Sequence, residues 1–392
     1  MLRIIFIWIV GGALALASGL VAMGAIAKVK APALAVALQP VNGFAAESFA
    51  AASIKATIAA NGGEFPTSVD QATLDWAKLA FLKEPVTPEA ISIIALGKTG
   101  ATERQLMEYG LSVSRREQLI IGWMIIDSGT KNDIPAVLNS YDILLRTSSS
   151  AATAIIPVMA TALSDENFVE PFADLLATNP PWARRFWGQV TLVPQSIQNA
   201  AQLRGRLYNK NERSERYRDR ELIAALIKDK QFNTAGKLYS LLSDQPSGPV
   251  LIKNYSFEHD SQYPPLDWRL FSNGEYGATI TNGALQMSAI RNSGGLFARQ
   301  LVELPPQNLQ FEAKYANTIP IDANIQLRIT CAEKVANLTR TIRFRLTGDG
   351  TQQIINNQRS GCSYYWIDIV GRASENGDGF DISLKSIALR VE

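Results

Sequence analysis

The first thirty positions hold one apolar run. Residues 4–27 carry no charge over 24 positions. As a helix they would be about 36 Å long, more than a bilayer core of about 30 Å requires. A transmembrane helix is therefore expected within residues 1–30. Arg3 precedes the run and Lys28 and Lys30 follow it, so the flanking charges do not set the orientation alone. A cleaved signal peptide is the rival, and Ala25-Ile26-Ala27 offers it a small-x-small site. The length of the run favours a retained anchor. A buried core helix fits poorly with Gly11, Gly12, Gly19 and Gly24 in the run. Anchor and signal alike put the remaining chain outside the cytoplasm.

From residue 33 to 244 the apolar positions follow a helical period. Ile134, Val137, Leu138, Tyr141, Leu144 and Leu145 trace the i, i+3, i+4, i+7 stripe of an amphipathic helix. Asn132 or Asp133 is placed to cap it, with Pro135 in its first turn. Asn179-Pro180-Pro181 breaks the pattern, and Trp182 opens the next helix. A shift of about 32 residues lays Ile94 on Ile126, Gly97 on Gly129, Leu106 on Leu138 and Tyr109 on Tyr141. Gly97 and Gly129 are then expected in turns between paired helices. The alternative is an irregular bundle.

Around residues 244–249 (Asp-Gln-Pro-Ser-Gly-Pro) the helical pattern stops, and beyond it the period becomes two. Asn324 to Cys331 and Thr341 to Thr347 alternate apolar with polar. Shorter strands are expected at Phe311 to Tyr315 and Phe380 to Val391. Turns are expected at Gly274, Gly283, 348–350 and 376–379. Short strands with such turns predict a β-sandwich or jelly roll over residues 250–392. The fold class is thus multidomain α and β: a transmembrane helix, a helical repeat array over 33–244, and a C-terminal sandwich.

Composition narrows the chemistry. The net charge is only +2, so no whole-protein field attracts nucleic acid. His259 is the one histidine, which excludes multi-histidine metal sites and any triad without it. No phosphate loop, metal signature or nucleophile elbow occurs. Asp260, Asp267, Asp368, Asp378 and Asp381 offer carboxylates, but none in a recognisable glycosidase context. No enzyme, cofactor or metal is expected. Cys331 and Cys362 are the two cysteines. In an oxidising compartment they are expected to pair, contributing about 3–4 kcal/mol in the chain-entropy model; two buried thiols are the alternative. The mixed-sign run from Arg204 to Glu221 reads either as an anion or polysaccharide contact or as a solvated helix face. Mixed signs favour the latter.

Two family resemblances follow. The helical region is similar to tetratricopeptide-like repeats over about half the chain. Ser114-Arg115-Arg116, Gly122 to Ile126 and Ser140 to Arg146 resemble single-anchor helical-repeat proteins of alphaproteobacteria, some of them linked to surface polysaccharide production. That implies a single-pass inner-membrane protein with its bulk in the periplasm. Further on, Val250 to Glu258 followed by Pro265-Leu266-Asp267-Trp268 resembles the opening of galactose-binding-like sandwiches, a fold of many carbohydrate-binding modules. The resemblance implies an Asn-x-x-Phe-Glu strand and then a Trp-led strand. Relatives often hold calcium near that Glu with an Asp on the last strand. Here Leu384-Lys385-Ser386-Ile387 departs from that, and no calcium is expected.

Alternation puts Gln326, Arg328, Arg343 and Arg345 on the polar face of the strands, where guanidiniums suit carboxylates and sugar hydroxyls. Trp268, Tyr276, Tyr364 and Trp366 are candidate stacking platforms. The competing reading is a solvated sheet with core aromatics. Parity conflicts around Cys362: pairing with Cys331 on a regular strand turns Tyr364 and Trp366 inward, yet Tyr365, Ile367 and Ile369 are the more apolar set. A bulge near Cys362 is one resolution. The expected role is an envelope accessory protein. Its array would hold a protein partner, and its sandwich would bind or guide a polysaccharide, acidic in character, in exopolysaccharide production or export. A purely structural scaffold is the rival; a glycan-active enzyme is a third reading.

Overall fold

The computed structural model describes residues 2–62, 64–66, 68–208, 216–243, 248–316, 323–333, 341–346, 351–356 and 361–392. The expected linker residues 244–247, the turn 348–350 and residues 209–215 of the charged run lie outside the described residues. Two compact units emerge: Met1–Val158 with Asp174–Ala183, and Met159–Ala173 with Arg184–Glu392.

The first unit begins with α1 (Leu2–Lys30), then α2 (Pro32–Leu38), α3 (Gly43–Ala60) and α4 (Gln71–Lys83). Next come α5 (Pro88–Leu96), α6 (Gly100–Val113), α7 (Gln118–Thr130) and α8 (Ile134–Thr147). Among the described residues, one helix is long and apolar enough to cross a membrane, over Val10–Lys30, and only 6% of its window is buried. Consecutive helices α3 to α6 pack on one another, and α7 packs on α8. Small residues let them approach: Ala46, Ala50, Ala77, Ala80 and Ala90 are buried between α3, α4 and α5 around Ile54 and Ile93. As the stripe predicts, α8 starts at Ile134, and the Asp133 carboxylate accepts the Ala136 N–H at 3.1 Å. The expected 32-residue spacing is not reproduced: α7 starts 30 residues after α5 and α8 34 after α6. Gly97 caps α5, whereas Gly129 lies inside the last turn of α7 rather than in a connection.

The later helices are α9 (Ala151–Ala162), α10 (Val169–Leu176), α11 (Ala183–Val190), α12 (Ile197–Arg206), α13 (Arg216–Lys228) and α14 (Phe232–Leu242). Trp182 stands just before α11, where the Pro-Pro break puts the start of a helix. Part of the charged run departs from a solvated face. Arg204 on α12 and Asp219 on α13 form a buried bidentate pair, 2.6 and 3.1 Å. The reason is packing: α12, α13 and α14 contact one another, and the pair lies where two helices meet.

The strands are β1 (Arg269–Leu270), β2 (Tyr276–Thr281), β3 (Ala284–Ala289), β4 (Gly294–Glu303) and β5 (Asn308–Tyr315). They continue with β6 (Asn324–Cys331), β7 (Thr341–Arg345), β8 (Thr351–Asn356), β9 (Tyr364–Arg372) and β10 (Phe380–Val391). They form two five-stranded sheets, β1-β4-β9-β6-β7 and β2-β3-β10-β5-β8. The pairings are antiparallel, giving a jelly-roll sandwich. Ile325, Leu327, Ile329, Phe344, Ile367 and Ile369 from one sheet and Leu285, Phe311, Ile382, Leu384 and Leu389 from the other share its core. Asn282-Gly283, both at positive φ, make the tight β2–β3 turn, as an Asn-Gly pair favours.

Cys331 and Cys362 are disulfide-bonded, with Cα atoms 6.1 Å apart. Cys362 stands two residues before β9 rather than on it. The disulfide therefore does not set the parity of β9. Tyr365, Ile367 and Ile369 point into the core and Trp366 and Asp368 outward, and the described β6–β9 pairing runs without a register shift. The irregularity falls in β4 between Leu296 and Ala298 instead.

Candidate functional site

The opening of the sandwich is structural. Asn254 accepts the His259 N–H and donates to its carbonyl, closing a loop that drives Phe257 into the core. Phe257 packs against Trp268 at 5.8 Å, and both are fully buried. Trp268 is therefore no stacking platform, because its ring fills the interior. Asp267 is buried and accepts from Gln262 N, Tyr263 N and the Tyr239 hydroxyl of α14 at 2.7–2.8 Å. Burial, then the Asp267 charge, raises the Tyr239 pKa, so the phenol stays a donor. Glu258 is exposed, Lys385 and Ser386 stand on β10, and among the described residues no carboxylate group assembles with Glu258.

Tyr364 is also no platform. Phe232 of α14 packs on its ring at 5.4 Å, and its hydroxyl lies 3.4 Å from Glu303. Burial and Glu303 push its pKa up to about 12. The helical segment thus covers one end of the outer face of the β1-β4-β9-β6-β7 sheet. Tyr276 stays half-buried, edge-on to Phe297 at 5.1 Å, on the other sheet.

The uncovered part of that face carries the charge. Register places Arg269 opposite Arg299, Arg299 opposite Asp368, Asp368 opposite Arg328, and Arg328 opposite Arg343. One row crossing all five strands therefore holds four guanidiniums and one carboxylate. At about 4.8 Å per strand gap, the row is about 19 Å long. Asp368 grips Arg299 through two bonds of 2.6 and 2.7 Å, and these bonds raise the Arg299 pKa. Arg299 also lies over the Trp366 ring at 5.1 Å, a cation–π arrangement. Trp366 is thus occupied by a protein cation and stiffens the row. Among the described residues the buried Arg328 Nε has no hydrogen-bond partner, and its neighbour across the strand is the like-charged Arg343.

The next rung pairs Gln326 with Arg345 and with Val370. Arg372 donates to the Asn292 carbonyl and side chain. A groove of about 410 Å³ runs over Arg299, Asn324, Gln326, Arg328, Asp368 and Arg372. The structure so brings together Gln326, Arg328, Arg343 and Arg345 from the sequence-expected set. It adds Arg269, Arg299, Asp368 and Arg372. The signal of Arg299 was hidden by the β4 irregularity, which breaks alternation just before it, and that of Arg269 by the shortness of β1.

The other outer face differs. A cleft of about 840 Å³ spans β2, β3 and the start of β10 and is lined by Glu275, Tyr276, Thr279, Gln286, Ser288, Asp378 and Asp381 among others. Its lining carries three acids and no basic residue. All three acids are exposed, whereas a glycosidase acid needs a shielded environment.

No family model matches the chain, and no curated protein matches it. Solved structures do, over the sandwich. One is a family 61 carbohydrate-binding module in complex with β-1,4-galactotriose, 18% identical, TM-score 0.26, covering 37% of this chain and 100% of that one. A family 4 carbohydrate-binding module is 16% identical, TM-score 0.24, over 36% and 99%. An arabinose-bound family 51 α-L-arabinofuranosidase is 13% identical, TM-score 0.25, over 38% and 27%. Strand order and register, rather than these likenesses, define the sandwich.

Proposed function

We propose that this chain is a non-enzymatic, membrane-anchored envelope protein whose sandwich binds an acidic polysaccharide on the arginine row of the β1-β4-β9-β6-β7 sheet. The row itself carries the reading: Arg269, Arg299, Arg328 and Arg343 face one aspartate across five strands. Like charges directly opposite, as at Arg328 and Arg343, destabilise a sheet, and a polyanion removes that cost. Guanidinium forks match carboxylates with two parallel bonds.

Retention of α1 is supported by its packing. Gly24 and Ala27 are buried, and Ala27 shares a small core with Ala35, Val36 and Ala45. Cleavage after Ala27 would strip that core. The disulfide suits an oxidising, non-cytoplasmic compartment. We assign the helical array to holding a protein partner of the same envelope, in polysaccharide production or export; Tyr109 and Ile126 are its exposed large side chains on α6 and α7.

The test is titration of the full chain in detergent with polygalacturonate, at rising salt. Binding should weaken as salt screens the row. Arg328→Ser with Arg343→Ser should weaken it about tenfold or more, each lost charged bond being worth about 1.5–3 kcal/mol. Unchanged binding by the double variant would remove the assignment. A second reading has its own observation: the acidic, hydroxyl-lined cleft on β2, β3 and β10 suits a neutral glycan. Salt-independent binding of neutral β-1,4-galactan, lost in Gln286→Ala, would favour it.

A further inference from the structure

The turn between α2 and α3 fixes how deep the first helical unit sits. α2 folds back along α1 after Ala31, so that the Gln39 side chain donates to the Leu20 carbonyl at 2.9 Å. Its amide oxygen accepts from Asn42 at 2.6 Å, and Asn42 in turn caps α3 through Phe44 N and Ala45 N. Gly24 admits this contact, since a Cβ there would lie 2.6 Å from Gln39 Cδ. Two amides at the level of Leu20 to Gly24 are costly inside hydrocarbon. This rung therefore belongs at the polar boundary. Counting back from Leu20 to Arg3 gives about 26 Å of helix, which matches a bilayer core of about 30 Å. The rest of α1, up to Lys30, then stands above the core with α2 and α3 packed against it.

The same end of the unit carries the other turns. A Cβ on Gly43 would meet Glu84 Cγ at 2.6 Å, so the α4–α5 turn lies beside the start of α3. Glu47 of α3 accepts the Glu89 N–H at the start of α5. A Cβ on Gly110, near the end of α6, would lie 2.6 Å from Ile120 of α7 and 3.2 Å from Ile91 of α5, so the α6–α7 turn with Glu117 stands at the start of α5 as well. Apolar side chains stand out here: Val41 is 72% exposed and Val86 62%. Arg115 and Arg116, before α7, are exposed too.

We propose that this end of the helical unit, led by Val41 and Val86, docks on the surface of the bilayer that α1 enters. Arg115 and Arg116 lie against anionic headgroups. The occupant is lipid because the patch continues from the apolar helix and because basic and apolar groups share it, the pattern of interfacial segments. The proposal rests on α1 being a retained anchor.

Site-directed spin labels test it on the full chain in nanodiscs of phosphatidylcholine with phosphatidylglycerol. The two native cysteines are bonded to each other, so an added cysteine labels alone. Labels go at Val41→Cys, Val86→Cys, Leu14→Cys in the span, and Lys98→Cys at the far end of α5. Relative accessibility to oxygen and to a water-soluble nickel chelate reads depth. Leu14 should be deepest, Val41 and Val86 at the headgroup boundary, and Lys98 in water. Val41 and Val86 as aqueous as Lys98, with Leu14 deep, overturns the docking and leaves the anchor standing. Leu14 in water overturns both.

Discussion

The two compact units treat buried charge differently. In the first, Glu47 and Glu117 are buried, and among the described residues no cation is bonded to either carboxylate. Lys55 instead bonds Glu89 at 2.5 Å. Burial is the main reason that both carboxyls are pushed up to about 7. In the second, each buried acid has bonded partners: Asp219 has Arg204, Asp267 has Tyr239 and two backbone N–H groups, and Asp368 has Arg299. A buried carboxylate is tolerated either by being neutralised or by being bonded. The first solution ties stability to pH near neutrality, while the second makes the partner indispensable.

The largest effect should come from breaking a pair in the second unit. Arg204→Ala leaves Asp219 buried alone and should cost about 3–5 kcal/mol, read by chemical denaturation. Asp267→Asn keeps the shape but weakens three bonds to a charged acceptor. It should cost about 2 kcal/mol, and the Tyr239 contact should loosen, seen as faster amide exchange in α14.

The first unit should respond to pH instead. Glu47 and Glu117 hold their protons more tightly folded, at about 7, than the usual 4.5. The folded state therefore binds more protons between about pH 4.5 and 7, and stability falls as pH rises through that window, then levels. Glu47→Gln with Glu117→Gln should flatten the profile in melts from pH 5 to 8. A wild-type profile that is already flat would show the two carboxyls to be ordinary.

The smallest effect is expected on the arginine row. Arg343→Ser, at an exposed position, should move stability by no more than about 0.5 kcal/mol. A large loss would make the row structural.

The alternation of β6 was legible to the residue, because one face is buried and the period is strict, whereas in β10 the inward parity changes at the register shift between Leu384 and Ser386. The helix at Ile134 was legible through its stripe, cap and proline. Site residues on regular strands were legible for the same reason: Gln326, Arg328, Arg343 and Arg345 all point outward. What the sequence concealed is non-local. Arg299 and Asp368 meet across 69 residues, and the β4 irregularity disguises the first. Trp268 looked like a platform because a Trp-led strand does not reveal which face it meets. Tyr364 is covered by α14, a contact no strand pattern contains. Arg204 and Asp219 were hidden within a mixed-sign run, whose pairing only helix packing decides.

The central claim is that the sandwich selects a polyanion through one row of guanidiniums. The direct measurement is the ratio of affinities of the full chain in detergent for polygalacturonate and for neutral β-1,4-galactan, in wild type and in Arg328→Glu. The account predicts a wild-type ratio well above one that falls with salt, and a collapse of the ratio when Arg328 reverses its charge. Equal affinities for the two polymers in wild type, or a preference untouched by Arg328→Glu, would contradict it.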